Sequence, residues 1–133
     1  MNVLLSIKPL YTSKIIEGSK KYEFRKSIFK NKSVDSVYIY SSHPVKKIIG
    51  KFTIADILED HPDNLWDTVK DKSGLIESEF FNYFKGKSKG FAIEIDEFTQ
   101  FKNPIDPKLH YENFTPPQSF CYINNEIEEF CEY

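Results

Sequence analysis

The chain has 133 residues, of which 40% are apolar and 29% charged, with a formal net charge of −2. That length suits one domain, residues 1–133, which buries about two-thirds of its unfolded surface without a metal or disulfide staple, and 12 Phe with 8 Tyr exclude a disordered chain. No apolar run approaches the roughly 20 residues of a membrane span, the N-terminus is read as carrying no secretory leader, and Cys121 and Cys131 fit neither a zinc spacing nor a disulfide framework, so reduced thiols in a cytoplasmic protein are expected.

Val3 to Ile7 alternates as a strand, with Val3, Leu5 and Ile7 on one face. Pro9 is tolerated at a first helical position. Leu10 to Glu17 then makes a short helix, with Tyr11 and Ile15 at i, i+4 and Gly18 as its left-handed stop. Lys21 to Ser27 is a second strand: Tyr22 and Phe24 face inward, and Lys21, Glu23 and Arg25 face out. A basic loop, Ile28 to Asp35, leads to a third strand over Ser36 to Ser42, which His43-Pro44 ends. Val45 to Leu58 is a long strand in which Gly50 marks a bulge or barrel corner.

Two helices follow. Asp63 or Asn64 is expected to cap the first, and the second runs from about Glu77 to Lys85. Trp66, Phe80, Phe81 and Phe84 are read as packing residues. Phe91, Ile93 and Ile95 alternate as a fifth strand, extending towards Phe98 and Phe101. Asn103 to Pro117 is expected to be irregular, Ser119 to Ile123 a last strand, and Asn124 to Phe130 a short acidic helix. About five to six strands, with helices inserted rather than alternating, predict an α+β fold: a small, partly open β-barrel decorated by short helices.

Charge is unevenly distributed along the chain. Residues 1–51 hold eleven Lys or Arg against three Asp or Glu, whereas residues 52–133 hold seven against seventeen. Such segregation points to a basic surface and phosphate-bearing partners, unless the fold mixes the segments and dilutes it.

The segment that carries chemistry is Gly18-Ser19-Lys20-Lys21-Tyr22-Glu23-Phe24-Arg25. Gly allows a tight turn that carries Lys20, and Glu23 and Arg25 then lie two residues apart on one strand face. The same three charges also fit a solvated strand face with a weak ion pair. His43, His61 and His110 are scattered without metal-ligand spacing.

Gly18, Lys20, Glu23 and Arg25 reproduce G-x-K-x-x-E-x-R, and in this the chain resembles the ASCH domains of the PUA-like superfamily. The likeness extends to Leu4-Leu5-Ser6-Ile7-Lys8-Pro9, Val37-Tyr38-Ile39-Tyr40-Ser41-Ser42, Ile48-Ile49-Gly50, the Glu79 to Gly86 helix and Pro116-Pro117-Gln118-Ser119-Phe120, and so covers nearly the whole chain. It is similar to the small bacterial and phage ASCH group. The resemblance implies a PUA-like barrel with a charged cleft beside the first helix, RNA or a nucleotide as partner, and no cofactor, metal or membrane.

In that cleft Lys8, Lys20 and Arg25 would meet phosphate, and Arg25 would also stack on a base. Glu23 would orient Arg25 or read an amino group, Tyr40 would offer a stacking platform, and Ser42 and Gln118 are candidates for polar readout. Tyr40 also reads as core, and Gln118 as a partner for loop backbone.

The resemblance favours a non-catalytic, regulatory RNA-binding module. Its alternative is an enzyme using the same cleft, a ribonuclease or an acetylcytidine amidohydrolase, with Lys20, Glu23 and Arg25 as catalytic residues. Amidohydrolase relatives use a Thr where this chain has Glu23, which removes the nucleophile of that scheme.

Overall fold

In the computed structural model, residues 2–123 and residue 127 are described. Asn124 to Phe130, apart from Ile127, and Cys131 lie outside them, and with them the expected acidic helix. The elements in order are β1 (Asn2–Ile7), α1 (Pro9–Glu17), β2 (Tyr22–Arg25), β3 (Ser36–Ser41), β4 (Lys47–Asp60), α2 (Pro62–Val69), α3 (Glu77–Tyr83), β5 (Gly90–Ile105) and β6 (Phe120–Ile123). The strands form one six-stranded sheet in the order β2-β5-β4-β3-β1-β6. β1 and β3 run parallel and every other neighbouring pair antiparallel. The result is an α+β fold whose one sheet curls into a half-barrel.

Alternation along the central strands sorts side chains onto two covered faces. Val3, Leu5, Ile7, Val37 and Ile39 meet Ile15 of α1 and Phe52 in one core. Leu4, Tyr38 and Tyr40 point to the other face, onto Phe101, Ile105 and Ile127. A third core holds α2 and α3 against the sheet: Phe24 and Ala92 pack with Leu65, Val69, Phe80 and Phe84.

The curl resides in β4 and β5. Their pairing shifts register between Ile48 and Gly50, Phe52 and Ile54, and Ile54 and Asp56. At Gly50 a Cβ would stand 2.5 Å from the Thr99 carbonyl oxygen and 2.9 Å from the Phe98 ring, so only glycine lets the strands cross this closely. β5 also continues through Pro104 to Ile105, further than its sequence suggests, because Ile105 still pairs with Ile48.

Two local expectations change. α2 is capped by His61, not by Asp63 or Asn64: the His61 Nδ1 accepts from the Asp63 amide at 3.1 Å, and Pro62 fills the first helical position. The outer face of β2, which alternation leaves to solvent, is covered. Glu23 is 6% exposed, because β2 is walled by α1 and by the segment that precedes α3.

Candidate active site

A cavity of about 180 Å³ opens between the end of β1, α1, β2 and α3. Its polar lining comes from Ser6, Lys8, Tyr11, Lys20, Glu23, Arg25, Glu79 and Tyr83, with Phe24 and Leu75 among its apolar walls. For scale, a cavity of roughly 150 Å³ takes one benzene-sized ring. The enclosed part of the cavity is therefore sized for a single ring.

The turn after α1 delivers Lys20. Gly18 adopts φ +89°, and the amides of Gly18, Ser19 and Lys20 all converge on the Lys14 carbonyl at 3.0–3.1 Å. This winding reverses the chain and sends the Lys20 side chain back beneath the helix. Lys20 is thus not carried on an open turn, as its neighbours in sequence imply. It is 2% exposed, its Nζ donates to the Ser73 carbonyl at 3.0 Å, and it lies 4.4 Å from the centre of the Phe24 ring. Donor satisfaction and the ring face make the burial tolerable.

Glu23 sits opposite Ile93 in the β2–β5 register. Arg25 Nη1 reaches its Oε2 at 3.4 Å, and Arg25 Nη2 donates to the Ser119 carbonyl. Arg25 therefore ties one edge of the sheet to the segment that enters the other, which fixes its guanidinium at the cavity wall. α3 contributes Glu79 and Tyr83 from one face, four residues apart. Glu79 Oε1 accepts from the Ile76 amide at 3.0 Å, and the Tyr83 hydroxyl donates to the Phe24 carbonyl at 3.2 Å.

Burial sets the proton affinities here. It pushes the Lys20 ammonium down to about 8 from 10.5, against the pull of Glu23 and with help from the Lys14 charge. Burial also raises the Glu23 carboxyl, although Lys20, Arg25 and the Phe24 amide all favour its charged form. The Tyr11 and Tyr83 phenols are raised too, chiefly by burial, and so stay protonated donors at neutral pH. The lining is close to balanced in charge, with Lys8, Lys20 and Arg25 against Glu23 and Glu79. The basic bias of the first 51 residues does not make this cavity basic.

Of the residues singled out by sequence, Lys8, Lys20, Glu23 and Arg25 come together at the cavity. Tyr40 does not. It is 2% exposed and its ring packs at a tilt against Phe114, 5.5 Å between centres, in the second core, so it presents no face to a base. Ser42 follows the end of β3, where its amide donates to the carbonyl of Ile7, a lining residue, but it is not itself part of the lining. Gln118 is exposed and away from the lining, while its neighbour Ser119 reaches the site through its main chain.

Ser6, Tyr11, Glu79 and Tyr83 were not singled out. The i, i+4 pair Glu79 and Tyr83 beside an aromatic stripe was the available signal. Ser6 Oγ is buried and, among the described residues, has no hydrogen-bond partner. Also among the described residues, no group of three His, Cys, Asp or Glu is placed to hold a metal ion, and no helix is long and apolar enough to cross a membrane.

Comparison with known proteins accords with this architecture. Residues 2–112 match the family described as Domain of unknown function (DUF365). The chain is 29% identical over 126 residues to an "ASCH domain-containing ribonuclease" of Zymomonas mobilis subsp. mobilis, covering 92% of this chain and 84% of that protein. The crystal structure of ASCH from Zymomonas mobilis superimposes with a TM-score of 0.88 at 27% identity, over 96% of this chain and 91% of that one. The N-terminal domain of Staphylothermus marinus McrB shares the fold alone, at 13% identity and a TM-score of 0.62 over 96% of this chain and 91% of that one. The chain belongs to the DUF365 family and is an ASCH domain protein.

Proposed function

We propose that the protein cleaves RNA at this cavity, with Glu23 and Lys20 as its proton-transferring pair. One observation carries the reading: a carboxyl raised by burial faces a lysine lowered by burial inside one small cavity. A raised carboxyl and a lowered lysine are each brought closer to neutral pH, which suits them to acid–base work there. A relative that is 29% identical and named a ribonuclease supports RNA as the substrate.

The chemistry follows from the charge states. At neutral pH Lys20 is mostly protonated and is an unusually acidic ammonium. In its ionised form, which Lys20 and Arg25 favour, Glu23 takes the proton from the ribose 2′-hydroxyl as that oxygen bonds to phosphorus. The bond from phosphorus to the departing 5′-oxygen breaks, and Lys20 gives that oxygen its proton. The products are a 2′,3′-cyclic phosphate and a 5′-hydroxyl. Lys8, which is exposed at the rim, and Arg25, held at the wall, supply positive charge to the phosphoryl oxygens. The single-ring hollow and the unpartnered Ser6 hydroxyl suit one base or ribose seated beside that phosphate.

Purified protein incubated with single-stranded RNA is expected to yield fragments ending in cyclic phosphate. Glu23→Gln should lower the rate by about 10²-fold or more while RNA affinity persists. Intact RNA after prolonged incubation would overturn the assignment.

A second reading, RNA binding without cleavage, is favoured by the Lys20–Ser73 bond, which also suits a fixed, non-reacting charge. It predicts RNA affinity that falls steeply with salt and no product.

A further inference from the structure

The segment that precedes α3 is joined to the α1–β2 turn by three successive carbonyls. The Lys72 carbonyl accepts from the Lys21 amide at 2.8 Å, the Ser73 carbonyl from Lys20 Nζ at 3.0 Å, and the Gly74 carbonyl from Lys14 Nζ at 2.7 Å. Ser73 is fully buried, and its hydroxyl is engaged with the Lys70 and Leu75 carbonyls and the Leu75 amide at 3.1–3.2 Å, which braces the turn internally. Gly74 has φ +72°, and a Cβ there would lie 2.7 Å from the Lys20 Cβ and 3.0 Å from its Cγ. The turn is thus moulded against the Lys20 stem as well as its ammonium.

We propose that Lys14, Ser73 and Gly74 form a clamp that positions the Lys20 ammonium in the cavity, so that Lys14 and Gly74 are positioning residues for the proton transfer assigned to Lys20. The proposal rests on the RNA-cleavage reading for its functional consequence and on hydrogen-bond geometry for the clamp itself.

Lys14 has a second effect. Its ammonium occupies the carbonyl next to the one that holds Lys20, so two like charges are kept close together. The other charged and titratable groups that share the cavity with Lys20 are Lys8 at the end of β1, Tyr11 from α1, Glu23 and Arg25 from β2, and Glu79 and Tyr83 from α3. Both acids favour the Lys20 ammonium, whereas Lys14 opposes it. Removing Lys14 therefore lets Lys20 hold its proton to higher pH.

The test uses the full chain and substitutions at two positions outside the cavity lining. In Lys14→Gln the midpoint of the Lys20 ammonium, followed by NMR of its side-chain carbon and nitrogen, should rise above about 8. The alkaline limb of the RNA-cleavage profile should move up by the same amount. Lys14→Arg keeps the charge and should restore both. Gly74→Ala should cause loss of cleavage and shift the Lys20 resonances, with folding checked by circular dichroism.

An unchanged Lys20 midpoint in Lys14→Gln would overturn the clamp. If no RNA is cut but the midpoint still rises, the clamp stands and the cleavage reading falls.

Discussion

Replacing Lys20 by Met should remove one contribution to the pH dependence of stability that the wild type carries. Lys20 is 2% exposed and its ammonium titrates near 8 in the fold, against 10.5 for the free side chain. Each pH unit of that difference corresponds to about 1.4 kcal/mol, so holding the charge in the cavity costs the fold about 3 kcal/mol.

Below pH 8 the group is charged in both folded and unfolded chains, and the whole cost is present. Between about pH 8 and 10.5 the unfolded chain binds more protons, so stability rises with pH. Above 10.5 both forms are neutral and the cost is gone. Other groups that titrate at alkaline pH contribute to wild type and variant alike.

The readout is therefore the difference in urea-unfolding free energy, wild type minus Lys20→Met, measured at matched pH from 7 to about 10.5. That difference should climb by about 3 kcal/mol, with most of the rise above pH 8. A flat difference would mean that Lys20 is not held as a buried ammonium, and the argument for its acidity would fail with it.

Arg25→Ala removes charge-bearing hydrogen bonds to Glu23 and to the Ser119 carbonyl. It should cost about 2 kcal/mol in chemical denaturation and raise the Glu23 midpoint further, moving the acid limb of activity to higher pH. Phe80 is fully buried and meets Phe24, Trp66, Phe81 and Phe84. Phe80→Ala should cost about 3–5 kcal/mol in urea unfolding and lower activity as well, since α3 carries Tyr83 to the cavity. Gly50→Ala forces a Cβ to 2.5 Å from the Thr99 carbonyl oxygen; a loss of at least about 1–3 kcal/mol in thermal or urea unfolding is expected.

The site shows how a charged residue is selected for burial. Lys20 and Lys21 are adjacent and chemically identical, yet Lys21 is exposed while Lys20 is 2% exposed. What separates them is the Ser73 carbonyl, fifty-three residues along the chain. The same holds for Glu23, whose strand face alternation assigned to solvent and which the fold instead walls in with α1 and the approach to α3. Tyr40 illustrates the opposite case. An aromatic on a strand is equally suited to a platform or a core, and Phe114, from the Pro-rich segment, makes it core.

Sequence alone determined the elements whose signals are local. Period-two alternation placed β1 and its two faces, β-branched and aromatic content placed β3, Gly18 ended α1, and Gly50 marked the corner where β4 bends over β5. The G-x-K-x-x-E-x-R spacing singled out Lys20, Glu23 and Arg25 because a turn followed by a strand sets where those Cα atoms lie. Tertiary structure decided what surrounds them: the cavity's single-ring size, the burial that moves Lys20 and Glu23 towards each other, the tie from Arg25 to Ser119, and the arrival of Glu79 and Tyr83. Those properties arise from desolvation and from contacts between segments distant in the chain, and neither is encoded in the pattern of neighbouring residues.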